Sequence, residues 1–117
     1  MKISKIAEVL RADVLCCEEN LEAEVASACA ADMMSDVLAF VKDHAVLITG
    51  LCNPQVIRTA EMMDIVCVVY VRGKVPDAMS IELAKSKNIV LTTSKYRMYQ
   101  ACGILYGEGL RGGESRI

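Results

Sequence analysis

Three short runs of this chain hold residue types suited to binding a ligand. They are Thr49-Gly50 with Asn53, then Arg72-Gly73-Lys74, then Thr92-Thr93-Ser94. Each follows an apolar, β-rich run, so each falls where a strand ends. Hydroxyls, a carboxamide and backbone N–H groups donate hydrogen bonds, and the two cations supply positive charge. Glycine at such a turn lets the backbone approach a ligand closely. Together they suit an anionic ligand. The same residue types also build ordinary turns and helix caps. No nucleophile stands beside a matching base in the pattern, so binding is favoured over catalysis.

A second group is Asp32, Ser35 and Asp36, in Asp32-Met33-Met34-Ser35-Asp36. On a helix the two carboxylates lie one turn apart on a shared face, where they could take a cation or a ligand hydroxyl. Paired carboxylates lacking a third oxygen ligand or a histidine make a poor metal site. The plainer reading is a helix cap followed by an acid favoured by the helix dipole. No metal or cofactor is expected. Gly107, Gly109 and Gly112 satisfy G-x-G-x-x-G, but they follow a helix and enter a polar tail. The dinucleotide fingerprint needs the reverse order, strand before and helix after. None of the six cysteines forms a C-x-x-C pair and most lie in apolar runs, which suits buried small hydrophobes in a reducing compartment. His44, in Lys42-Asp43-His44, reads as a solvated turn residue. Met33-Met34 and Met62-Met63 read as core, with an adaptable interface as the second choice.

The elements that would carry these groups alternate in type. Residues 3–11 have the apolar spacing of a short helix, and Asp13 to Cys17 reads as a strand. Residues 24–31 fit either helix or buried strand, with strand preferred. Asp32 would cap a helix from Met33 to about Lys42. Ala45 to Thr49 is a strand, and Asn53 caps a helix that has Pro54 in its first position and runs to about Met63. Ile65 to Tyr70 is a strand buried on both faces. Pro76 to Lys87 is a helix stopped by Asn88. Ile89 to Thr92 is a strand, and Thr93 or Ser94 caps a last helix to about Tyr106. The end from Gly107 to Ile117 reads as frayed. This order predicts an α/β fold: three layers, α/β/α, around a mostly parallel sheet of four to five strands. Residues 1–110 form one domain and 111–117 a flexible tail.

Composition narrows the function classes. The chain has 117 residues and a formal net charge of −2, without the basic stripe of a nucleic-acid reader. It is 54% hydrophobic with a mean hydropathy of +0.35, apolar enough that a homodimer interface is expected. The longest apolar runs are strand-sized, so no membrane span is expected. Met1-Lys2 leads straight into the first amphipathic segment without a secretory leader, which predicts a cytoplasmic protein.

The assembled residues resemble the DRTGG-domain family in its small stand-alone form, over roughly residues 3–110. The resemblance rests on Asp32-Met33-Met34-Ser35-Asp36-Val37-Leu38, on Ile48-Thr49-Gly50-Leu51 with Asn53-Pro54, and on Val71-Arg72-Gly73-Lys74-Val75-Pro76-Asp77. Leu91-Thr92-Thr93-Ser94 and Ala101-Cys102-Gly103-Ile104-Leu105-Tyr106 add to it. The chain departs from the naming motif: Cys52-Asn53-Pro54 stands where Asp-Arg is expected, and of Thr-Gly-Gly only Gly73 remains. The resemblance implies a fold like the N-terminal domain of HPr kinase/phosphorylase, without its kinase P-loop domain. It implies an accessory regulatory part with no catalytic residues, as in relatives joined to CBS modules and phosphotransacetylases. Stand-alone relatives are associated with hydrogenase and electron-transfer components, so a redox-enzyme or kinase-like protein partner is the alternative to a ligand. The expected function is a non-catalytic module sensing a small anionic metabolite or nucleotide.

Overall fold

Four β-rich runs, Ser27–Ala30 (β2), Ala45–Thr49 (β3), Cys67–Tyr70 (β4) and Val90–Thr93 (β5), pair in parallel, each beside the next in sequence. β3 and β4 are buried at every position, as strands covered on both faces must be. Asp13–Cys16 (β1) joins β5 antiparallel, giving the order β1-β5-β4-β3-β2. The structure, a computed structural model, describes residues 1–40 and 44–113.

Helices Met34–Phe40 (α2), Gln55–Met62 (α3) and Ala78–Ser86 (α4) connect successive parallel neighbours. Right-handed crossovers that all step the same way place their helices on one face. Accordingly α2 packs on α3 and α3 on α4. Ile3–Val9 (α1) and Met98–Gly107 (α5) pack together on the other face. The predicted three-layer α/β/α architecture is therefore the observed one, with five strands, and the ambiguous segment supplies a strand.

Four helices stop in the same way. Arg11, Asp64, Asn88 and Gly109 take positive φ. The next residue's N–H then reaches back into the last turn: Ala12 to Ala7, Ile65 to Ala60, Ile89 to Ala84 and Leu110 to Leu105. These are Schellman stops. Asn88 ends its helix as expected, whereas Asp64 and Ile65 belong to the α3 stop, so β4 begins at Cys67 and not at Ile65.

The helix starts differ more from expectation. α2 begins at Met34, and Asp32 stands outside it with its carboxylate bonded elsewhere. Its expected end near Lys42 lies outside the described residues. Pro54 is the N-cap of α3 and not its first residue, while Asn53 Oδ1 accepts from Gln55 N–H at 3.0 Å. α4 begins at Ala78 because Asp77 caps it, accepting from Ser80 N–H at 2.8 Å. α5 begins at Met98, with neither Thr93 nor Ser94 as its cap. The Ser94 hydroxyl is committed to Leu10 O at 2.9 Å and accepts from Tyr96 N–H.

Residues 107–111 are packed against the fold, more than their composition suggests. Gly107 closes α5, Leu110 is buried, and Arg111 O accepts from Ala28 N–H on the outer edge of β2 at 2.9 Å. The Arg111 guanidinium lies 3.7 Å from the Tyr106 ring centre. Residues 114–117 lie outside the described residues. The glycines of the G-x-G-x-x-G match thus end a helix and follow it. All six cysteines are free, and no helix among the described residues is long and apolar enough to cross a membrane.

Candidate functional site

Parallel pairing brings the ends of β2, β3, β4 and β5 to one rim, where open α/β sheets hold ligands. Because β1 runs antiparallel, its first residues, with Leu10 and Arg11 just before them, reach the same rim beside β5. The rim divides at the turn after β4.

On the β3 side the polar groups bond mainly to each other. Thr49 is fully buried. Its hydroxyl donates to Asp32 Oδ1 at 3.2 Å and accepts from Leu51 N–H at 3.1 Å. Gly50 N–H donates to the same Asp32 oxygen at 2.7 Å. The Arg72 guanidinium lies directly over Gly50, where a Cβ would overlap it. A side chain at position 50 would displace that flexible guanidinium. Cys52 is half-buried, and its thiol lies 3.8 Å from Gly50 O. Burial pushes the Cys52 thiol up, and the opposing influence of Lys74 and Arg72 does not reverse that. It therefore stays a protonated thiol and not a reactive thiolate.

The acidic pair takes a different form from the expected one. Asp32 precedes α2 and ties β2's end to β3's, while Asp36 sits within the helix beside Ser35. They do not share one helix face. Among the described residues no group of three or more His, Cys, Asp and Glu is placed to hold a metal ion. Replacing Asp32 with alanine removes charge-assisted bonds to Gly50 and Thr49. We expect chemical denaturation to show a loss of about 1–2 kcal/mol. Asp36→Ala should change stability by less than about 0.5 kcal/mol, the scale of an exposed first-turn charge. Equal effects would contradict a bracing role for Asp32.

The divider is the turn Val71–Lys74. Arg72 and Gly73 both have positive φ, 59° and 67°, and Lys74 N–H closes the turn on Val71 O at 3.1 Å. A left-handed arginine costs about 1–2 kcal/mol, and two cross-links hold it in place. Arg72 N–H donates to Tyr96 O and Gly73 N–H to Ser94 O, each at 2.8 Å. Those N–H groups are thus committed to the protein, while the Arg72 and Lys74 side chains remain exposed. Thr93 donates to Lys74 O at 2.6 Å. Thr92 is buried and donates to Val68 O at 3.3 Å. Of the expected site residues, Thr49, Gly50, Asn53, Arg72, Gly73, Lys74 and Thr93 therefore gather at the rim. The hydroxyls of Thr92, Thr93 and Ser94 each donate to a backbone carbonyl.

Beyond the divider lies a cavity of about 820 Å³, lined in part by Arg11, Asp13, Gly73, Thr93, Lys95, Tyr96 and Arg97. It lies on the β5 side of the turn, where the chain enters α5. That helix has no side-chain cap. Sequence reasoning missed most of these residues, although the alternation Lys95-Tyr96-Arg97 was visible. A smaller hollow of about 420 Å³ lies near Met1, Val25 and Leu110. Its lysine and carboxylate, Lys5 and Glu108, pair with each other at 3.6 Å.

No curated protein matches the chain in sequence. Among solved structures, it is similar to the CBS and DRTGG domains of the regulatory region of Clostridium perfringens pyrophosphatase, crystallised with its activator, diadenosine tetraphosphate. The TM-score is 0.70 at 19% identity, over 89% of this chain. The match spans only 45% of that chain, so it shows a shared fold. The DRTGG domain model matches residues 5–106, nearly every element that builds the sheet and its rim, and the chain belongs to the DRTGG domain family.

Proposed function

We propose that this domain is a non-catalytic regulatory module that senses a small anionic metabolite or nucleotide at the carboxyl ends of its parallel strands. The observation that carries the reading is the cavity of about 820 Å³ opening at that rim, beside a turn that exposes Arg72 and Lys74. Small-molecule pockets span roughly 300–1,000 Å³ and combine apolar walls with a few convergent polar groups. Arg72 and Lys74 supply charge along the rim, Asn53 its exposed carboxamide, and Gly73 close approach of backbone to the cavity. The family membership and the nucleotide activator of a region sharing this fold support the same class of function.

The test is thermal unfolding of the whole chain against nucleotides, cyclic dinucleotides, phosphosugars and divalent metals. A ligand that binds only the native state stabilises it by about 2.7 kcal/mol at a hundredfold excess over Kd. For a domain of this size that raises the midpoint by about 10 °C. We expect one anionic class to give such a shift. The double variant Arg72→Ala/Lys74→Ala should weaken it while leaving the unliganded midpoint in place. A flat panel contradicts the sensor reading.

A further inference from the structure

The cavity beyond the Arg72–Gly73 turn has a chemistry of its own, and the inference drawn from it rests on the ligand-sensing reading above. Three cations line it, Arg11, Lys95 and Arg97, against one carboxylate, Asp13. They come from the end of α1 and the β5–α5 loop, segments far apart in sequence that the antiparallel β1 brings together. The three cations and Asp13 are exposed and form no salt bridge with another described residue. The wall also holds Tyr96, Val75 and Leu10, an aromatic ring and two aliphatic side chains. Thr93, Asp13 and Gln100 complete the lining with hydrogen-bonding groups.

We propose that this cavity is a nucleotide pocket. Arg11, Lys95 and Arg97 hold the phosphates, since guanidinium and ammonium donors match phosphate oxygens. Tyr96 and Val75 pack against the base, Asp13 accepts from sugar hydroxyls, and Gln100 is placed to read a base edge. The volume is far larger than an inorganic phosphate needs and is within the range of drug-sized ligands. The paired cationic and aromatic lining fits a ligand with a charged end and a flat end, which a phosphosugar lacks.

The experiment is isothermal titration of the full chain with ADP, pyrophosphate and adenosine. ADP should bind tightest, pyrophosphate more weakly, and adenosine weakest. Arg11→Gln/Arg97→Gln should weaken ADP about a hundredfold, because each cation contributes at least one charge-assisted bond. Both side chains are exposed, and an unchanged melting midpoint verifies that the variant folds. Tyr96→Ala should weaken ADP about tenfold and leave pyrophosphate unaffected. ADP binding lost in Arg72→Ala/Lys74→Ala but retained in Arg11→Gln/Arg97→Gln would overturn the pocket while the sensor reading stands. A shift in the thermal panel from a non-nucleotide anion, with no ADP binding, would do the same. Equal weakening of ADP and pyrophosphate in Tyr96→Ala would overturn the role given to the ring.

Discussion

Truncating Tyr70 to alanine is expected to remove about 3–5 kcal/mol of stability, the usual cost of deleting a buried aromatic side chain. Small domains have only about 5–15 kcal/mol in total, so the loss is a large fraction of the whole. Tyr70 ends β4 and is fully buried. Its register partners, Thr49 and Thr93, both end strands at the rim. Its hydroxyl lies within electrostatic reach of Cys52 and Asp77, which precede α3 and α4. The ring thus fills the core at the strand end that leads into the turn at Arg72. That hydroxyl also has no hydrogen-bond partner among the described residues. A buried, unpaired hydroxyl costs about 1–3 kcal/mol. Tyr70→Phe should therefore gain about 1 kcal/mol, opposite in sign to the alanine variant. Urea titration of both variants decides the matter, and a phenylalanine variant as unstable as the alanine one would contradict it.

The second large effect is alkaline. Burial pushes the Cys67 thiol up from 9.0 to about 12, and the side chain is completely buried in β4. The folded state therefore keeps a proton that the unfolded chain releases above pH 9. A raised folded pKa contributes stability that is complete below the unfolded value and is lost as pH rises through the folded one. Stability should fall by about 1.4 kcal/mol per pH unit from this thiol alone. Between pH 9 and 12 that amounts to about 4 kcal/mol. Burial likewise pushes the Cys17 thiol up to about 11 and raises Tyr70, so both steepen the fall. Denaturant midpoints measured across this window should drop steeply in the parent chain and less steeply in Cys67→Ala. Identical slopes would show that Cys67 does not hold its proton.

Much of the sheet was legible in the sequence because its physics is local. Val46-Leu47-Ile48 and Val68-Val69-Tyr70 are continuous apolar runs that only a doubly covered strand would need. Strand, helix, strand in alternation then forces parallel pairing and the common rim. Residues 24–31 were harder, since alanine and cysteine suit a helix as well as a buried strand. Their pairing with β3 settles the matter from outside the segment. The helix starts failed for a related reason. Asp32 and Ser94 have the chemistry of caps, but long-range partners claim them, Gly50 for one and Leu10 for the other. A capping residue in sequence is only a donor or acceptor without a known partner.

The site divides along the same line. Arg72-Gly73-Lys74 and Thr49-Gly50 were readable because turn chemistry is written in neighbouring residues. The cavity was not readable, because Arg11 and Asp13 reach it only through the antiparallel placement of β1 against β5. Nothing near residue 11 states that it will stand beside residue 97. Thr92 was drawn into the expected site by proximity in sequence, but strand alternation turns its hydroxyl to Val68 O.

The most direct test of a nucleotide pocket at this rim is an NMR titration of the ¹⁵N-labelled chain with ADP. Saturable amide shifts should gather at Arg11, Asp13, Gly73, Thr93 and residues 95–100, with smaller ones at Gly50 and Lys74. The hollow near Met1, Val25 and Leu110 should stay silent. Shifts centred on that hollow, or a spectrum unchanged at millimolar ADP, would contradict the nucleotide pocket.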